Sequence, residues 1–406
     1  MSLGALRFLH AANARLDAPP RGTGPLTGDA RRVAEDATLI AFERLADACV
    51  EHDADFLLLT GETFDAAPTL RARRTLLSAL DALSEFGIMV YWEQSPGSGW
   101  RGEQRALPLP ANVVLLRDDD SEPVAFVKEG RVAAIIGPVS AVGDGDDGEG
   151  VGASNREGPI RIGWVPHGAN EWGAGETSTL SFDVRREEFD YLGFSSEIRR
   201  TARPGGSAMV HSPGGLQGLS REERGPRGAS LIAVGEERDA VISSVPLAPL
   251  RWEECRIGVD SHLSENELIE RMQFAMLELE RAPTDELRIV RWVMVGSGPL
   301  FETLAEPGAA AALLETIDLE PGSGAGVEQR HQFEFRPRRV ASDDPLVEEL
   351  ISGWDGPESE EFNAVVDELE ERAAASDLSP MAASLERVSR SRAQETAGRL
   401  GREWLA

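Results

Sequence analysis

Two short apolar runs, each broken off by a polar cluster, constrain this chain more than any other feature. Leu6-Arg7-Phe8-Leu9 leads into His10-Ala11-Ala12-Asn13-Ala14-Arg15-Leu16-Asp17, and Phe56-Leu57-Leu58-Leu59 leads into Gly61-Glu62-Thr63-Phe64-Asp65. Such runs read as buried strands, and the stretches that follow them, Arg31 to Glu51 and Thr69 to Phe86, have helical length and spacing. Strand alternating with helix is the pattern of a layered α/β domain. In open α/β sheets ligands bind where strands end, so the two polar clusters mark the place for a site.

Further strand ends follow the same plan. Ile88-Met89-Val90-Tyr91-Trp92 precedes Pro96-Gly97-Ser98-Gly99-Trp100, Ile162-Gly163-Trp164-Val165 precedes Pro166-His167, and Phe189-Asp190-Tyr191-Leu192 precedes Gly193-Phe194-Ser195-Ser196-Glu197-Ile198. Downstream lie Ser212-Pro213-Gly214-Gly215-Leu216-Gln217-Gly218-Leu219 and Gly225-Pro226-Arg227-Gly228. In order and spacing these segments resemble the calcineurin-like metallophosphoesterases, and within them the DNA-repair exonuclease branch of SbcD and YhaO type. That family carries D-x-H-L-D, G-D-x-F-D, G-N-H-D/E, a lone His and G-H-x-H at its strand ends, and this branch adds P-G-S-x-Q-G-L and K-G elements. Arg251-Trp252, Arg256-Ile257-Gly258-Val259 and Val290-Arg291-Trp292-Val293-Met294-Val295-Gly296 resemble its small capping domain, so the resemblance spans roughly the whole chain.

The resemblance implies a two-metal phosphodiesterase, in which divalent ions about 3.5–4 Å apart polarise phosphate and generate hydroxide. The residues at the ligand positions depart from it. Asn13 is a neutral donor where the family has a carboxylate. Arg15 is permanently protonated, cannot coordinate and repels a cation. Glu62 is one methylene longer than the family's Asp. Ser98 and Gly99 stand where the family has Asn and its catalytic His, and Ser196 and Ile198 occupy the two G-H-x-H imidazole positions. His167 alone keeps the family's residue, and Asp17 keeps the last carboxylate of the first motif. The expectation is therefore a vestigial site with no catalytic residue and no cofactor, in which Arg15 sits between Glu62 and Asp17 as an internal ion pair. The alternative is an active phosphodiesterase or DNA exonuclease with an altered ligand set, Asn13, Glu62 and His167, holding one or two Mn2+ ions.

Other candidates have plainer readings. His10 is expected as a packing group beside the site, His52 as surface, and His211, His262 and His331 as solvent-facing or hydrogen-bonded singles. Asp65 is expected to cap a turn. The Gly97 and Gly214 stretches lack P-loop spacing, and neither a G-x-S-x-G nor an H-E-x-x-H motif occurs. Cys49 and Cys255 are expected as separate buried thiols.

Net charge is −29, with 70 acidic against 41 basic residues, and Lys128 is the only lysine. A duplex-DNA nuclease usually shows a basic track, so the charge disfavours DNA, although Arg199 to Arg203 and Arg336 to Arg339 form local arginine patches. A generally acidic proteome or a solubility adaptation explains the charge equally well. No apolar stretch has spanning length, and Met1 to Gly4 shows no secretory signal, so a cytoplasmic protein without membrane contact is expected.

The fold class expected is α/β: a layered metallophosphoesterase-like β-sandwich flanked by helices over residues 1–240, a small α/β capping domain over 245–340, and a helical C-terminal tail over 342–406. A mobile acidic loop is expected over Ala141 to Glu157. A helix from Ser264 to Ala282 is expected to open with the capping box Ser264-Glu265-Asn266-Glu267. In the tail, Leu346, Leu350 and Trp354 share one apolar face, and Phe362, Val366 and Leu369 another. The tail either packs back on the domains or, as the resemblance implies, docks on an SMC-like coiled-coil ATPase by helix-in-groove packing. The resemblance also leaves homodimerisation open.

Overall fold

The computed structural model describes residues 6–65, 68–94, 109–117, 123–138, 158–165, 189–195, 200–205, 208–279, 282–317 and 327–337. These residues form a mixed α/β fold in which three sheets are described. The first orders β12 (Ala240–Pro246), β11 (Gly228–Val234), β1 (Leu6–Ala12), β2 (Phe56–Thr60), β3 (Met89–Gln94) and β4 (Val113–Arg117). Strands β1 to β4 run parallel, while β11 pairs antiparallel with both β1 and β12. The second orders β5 (Val124–Lys128), β6 (Arg131–Pro138), β7 (Ile160–Val165), β8 (Tyr191–Phe194), β10 (Ala208–Ser212) and β9 (Thr201–Gly205).

Period-two alternation decides which side chains go where. On β1, Leu6 and Phe8 face the second sheet and join Phe56, Tyr91, Ile162, Trp164 and Tyr191 in one core. Leu9 and Ala11 face the opposite way, into α1 (Gly28–Glu51) and α2 (Leu70–Glu85). Both faces of the first sheet are thus covered, which is why β2 is a continuous apolar run with every residue buried. Phe8 stacks on Phe56 with centroids 4.7 Å apart, and Tyr91 and Tyr191 meet this pair edge-on, locking the seam between the sheets.

Helix ends aim the chain at the next strand. Thr69 caps α2 by accepting from the Ala72 N–H at 3.1 Å. Both helices close with the same pair of bonds: Ala54 N–H to the Cys49 carbonyl and Asp53 N–H to Val50 after α1, and Ile88 to Leu83 and Gly87 to Ser84 after α2. The residue at the bend is left-handed in each case, Gly87 at φ 70° and Asp53 at φ 48°.

The chain divides into two compact units. The first takes in Met1–Cys255, Ala275–Trp292 and Glu320–Gln332, and so extends past residue 240. The reason is packing: Leu250 and Trp252 of β13 (Leu250–Val259), with Leu287 and Ile289 of β14 (Leu287–Gly296), form a buried cluster with Ala30, Val33, Ala34 and Ala37 of α1. Arg44 of α1 ties the same region down, donating to the carbonyls of Leu247 at 3.1 Å and Thr284 at 2.8 Å. With β15 (Glu328–Pro337), these strands form the third sheet, β13-β14-β15.

Among the described residues the second unit takes in Arg256–Phe274, the stretch from Val293 to Ile317, and Phe333 to Pro337. The helix α3 (Glu265–Glu278) opens with the expected reciprocal box, Ser264 N–H to Glu267 Oε2 at 2.9 Å and Glu267 N–H to Ser264 Oγ at 3.3 Å, and ends short of Ala282. Phe301 of α4 (Pro299–Ala305) packs edge-on to Phe335, and α5 (Ala309–Thr316) follows. The acidic loop 141–157 and the tail from 342 lie outside the described residues.

Candidate functional site

Beyond the ends of β1 and β2 the backbones stay paired in irregular form. Asn13 N–H donates to the Thr60 carbonyl at 3.1 Å, Arg15 to Glu62 at 3.0 Å and Leu16 to Thr63 at 2.8 Å. This path puts Asn13 at φ 49°, Arg15 at 41° and Asp17 at 66°. A left-handed conformation costs a side-chain-bearing residue roughly 1–2 kcal/mol, so three in one short loop persist only because surrounding bonds hold them. A third segment joins here: Ala12 bridges Gly215, and Leu216 N–H donates to the Ala12 carbonyl at 3.0 Å.

The side chains complete the fastening. Both ends of the Asn13 amide are used, Oδ1 accepting from the Glu62 N–H at 3.0 Å and Nδ2 donating to the Ser195 carbonyl at 2.6 Å. Arg15 does not lie between Glu62 and Asp17 as expected. Its Nη2 pairs with Glu223 Oε2 at 2.6 Å and donates to the Gln217 carbonyl at 3.2 Å. Gly215 makes this closeness feasible, since a Cβ there would lie 2.9 Å from Arg15 Nη2. Asp17 instead serves the helices: its N–H donates to Thr38 Oγ1 at 3.0 Å, and its carboxylate accepts from Thr69 and lies 3.8 Å from Arg71 Nε. Glu93, buried at the end of β3, accepts from the Gly61 N–H at 2.7 Å.

Behind this surface lies a buried polar group. His10 bonds Tyr191 Oη through Nδ1 at 2.7 Å and Thr60 Oγ1 through Nε2 at 2.8 Å, and is fully buried. Burial, with His211 nearby as the lesser cause, holds its pKa well below the usual imidazole range. His211 was expected as a solvent-facing or hydrogen-bonded single; it is hydrogen-bonded, but on the inner face of β10 with no exposure at all. Its Nδ1 meets the Thr201 carbonyl at 2.7 Å, which can only accept, so the proton sits on Nδ1. Burial brings its pKa down to about 4. His331 accepts from Trp292 Nε1 at 3.1 Å, and His52 ends α1 half-buried. Cys49 and Cys255 are separate buried thiols, each pushed up to about 12 by burial.

The described residues do not fit a dinuclear metal centre. Asn13 presents an amide already committed at both ends, and Arg15 brings a fixed cation held on the carboxylate of Glu223. Among the described residues no group of three His, Cys, Asp or Glu side chains is arranged to hold a metal. Ser98, Gly99, His167, Ser196 and Ile198 lie outside the described residues. Of the residues that build the site, Glu223 and Glu93 are not singled out by the sequence, and Ser195 lies in the strand-end segment Gly193 to Ile198 without a role of its own there.

No family model matches the chain. A solved structure of GAP50, the anchor in the inner membrane complex of Plasmodium, aligns with TM-score 0.33 and 12% identity over 57% of this chain and 82% of that one, too little overlap to carry an argument. The uncharacterized metallophosphoesterase YhaO of Bacillus subtilis (strain 168) is 26% identical over 320 residues, which are 77% of this chain and 77% of YhaO. This likeness, the mixed α/β fold and the order of the strand-end motifs support the resemblance to the calcineurin-like metallophosphoesterase superfamily.

Proposed function

We propose that this protein is a catalytically inert metallophosphoesterase homologue that serves as a scaffold or regulatory subunit of an SMC-like coiled-coil ATPase in DNA repair. The observation that carries the first half is Arg15. At a position where the family places a metal-binding imidazole stands a guanidinium paired at 2.6 Å with Glu223, whose side chain is only 6% exposed. A cation so held opposes a divalent ion at the same spot, and metal-dependent hydrolysis needs the ion to polarise phosphate and activate water. The partner half is supported by the resemblance to the DNA-repair branch and by the apolar spacing of Leu346, Leu350, Trp354, Phe362, Val366 and Leu369 in the sequence.

The test is one preparation soaked with Mn2+ and assayed for bound metal and for hydrolysis of bis-p-nitrophenyl phosphate. Substoichiometric metal without turnover is the expected result. Stoichiometric metal with turnover that falls on His167→Ala would establish the active Mn2+ phosphodiesterase instead. For the partner, co-purification with an SMC-like ATPase should weaken in Leu350→Asp and Trp354→Asp, and indifference to both would count against docking by the tail.

A further inference from the structure

We propose that Asn13 and Arg15 form a metal-free clasp that takes over the structural task of a metal centre, fastening three strand-end segments without any divalent ion. The inference rests on the inert reading above and adds to it: the site is rebuilt, not merely eroded.

Asn13 shows the difference. An eroded ligand would leave a loose polar group, but this amide accepts from Glu62 N–H and donates to the Ser195 carbonyl at 2.6 Å, joining the segment after β2 to the end of β8. A carboxylate could make the first bond only. At the second it would set an anionic oxygen against a carbonyl oxygen, two acceptors with no proton between them. Asparagine is thus the residue this geometry calls for, and the family's aspartate would suit it only with a cation alongside.

Arg15 makes the second link, to Glu223 and the Gln217 carbonyl, on the segment between β10 and β11. That segment is well seated: Trp252 Nε1 donates to the Gly218 carbonyl at 3.0 Å, Gln217 Nε2 to the Leu250 carbonyl at 2.7 Å, and Arg21 N–H to the Leu219 carbonyl at 2.7 Å. Arg15 therefore anchors a left-handed loop to firm ground. The strained φ angles at 13, 15 and 17 are those of a loop built to present side chains, now held by an amide and a guanidinium.

The experiment compares thermal unfolding and hydrogen exchange of the full chain in EDTA and in Mn2+, for the natural protein and for Asn13→Asp, Arg15→Met and Glu223→Gln. The natural protein should melt at the same temperature in both buffers, with equal protection of the Glu62 amide. Asn13→Asp and Arg15→Met should each lower Tm in EDTA by about 3 °C or more. Arg15→Met and Glu223→Gln together should lower it by less than the sum of the two, as coupled partners do. Should either variant fail to fold, the Glu62 amide of the natural protein still decides: exchange that slows on adding Mn2+ overturns the clasp. Asn13→Asp or Arg15→Met melting like the natural protein also overturns it, while leaving the inert reading intact. Stoichiometric Mn2+ with turnover in the natural protein overturns the inert reading itself.

Discussion

The imidazoles of His10 and His211 meet nearly at right angles across the seam between the two six-stranded sheets, with centroids 6.1 Å apart. Tyr191 lies against both rings, and Arg200 reaches the Ala229 carbonyl beside them. Neither ring can accept a proton without placing a charge in this core. Both native pKa values lie below the unfolded value of about 6.5. Above that pH neither state binds the proton and stability is full. Below it the unfolded chain is protonated first, so stability falls toward pH 4, by up to about 1.4 kcal/mol per pH unit for each ring. Urea unfolding between pH 7.5 and 5 checks this, with His211→Asn expected to flatten the slope; a flat profile in the natural protein would refute it.

Gly193 sits on β8 opposite His211, and a Cβ there would lie 2.8 Å from His10 Cε1. The ring cannot swing aside because Tyr191 and Thr60 hold both of its nitrogens. Gly193→Ala should therefore destabilise by about 1–3 kcal/mol. Chemical denaturation reads this directly, and a change within about 0.5 kcal/mol would mean that the seam has slack.

Asp285 shares one carboxylate oxygen between Arg251 at 3.2 Å and Arg288 at 2.9 Å, all three side chains being nearly inaccessible. Asp285→Asn keeps the shape and removes the shared charge, which should cost about 3–5 kcal/mol. A loss below 1 kcal/mol in thermal unfolding would show that Glu253, which also pairs with Arg251, or water relieves the two guanidiniums.

Asp53 is a substitution expected to stabilise. It occupies the left-handed position after α1 that Gly87 fills after α2. Asp53→Gly removes the Cβ penalty and should raise stability by about 0.5–1 kcal/mol, the greater backbone freedom of unfolded glycine offsetting part of the gain. A lowered Tm would indicate that the Asp53 side chain has a stabilising role of its own.

Much of this architecture was legible before any coordinates. β1 and β2 announce themselves because strands buried on both faces need unbroken apolar runs, α2 because Thr69 to Phe86 has helical length and spacing, and α3 because the Ser264–Glu267 pair is a local signal. The loops carrying Asn13, Arg15 and Glu62 could be placed because they follow those strands. The partner of Arg15 could not, since Glu223 lies 208 residues away and ion pairing leaves no periodic trace in sequence. The two alternatives for His211, solvent-facing or hydrogen-bonded, stay open in the sequence for a related reason: a histidine alternating within a short strand reads alike for either face, and only the pairing with β8 settles which.

The antiparallel union of β1 with β11 has a consequence for how the protein comes into being. β1 finds β2 about fifty residues downstream, but its other edge waits for Leu6 to meet Val234. During synthesis β1 remains half-paired until more than two hundred further residues have emerged. Closing so long a loop is slow, and an unpaired apolar edge is open to foreign strands meanwhile. Yield from rapid expression should therefore depend on how soon β11 arrives, making this late strand the step that ends the chain's exposure to aggregation.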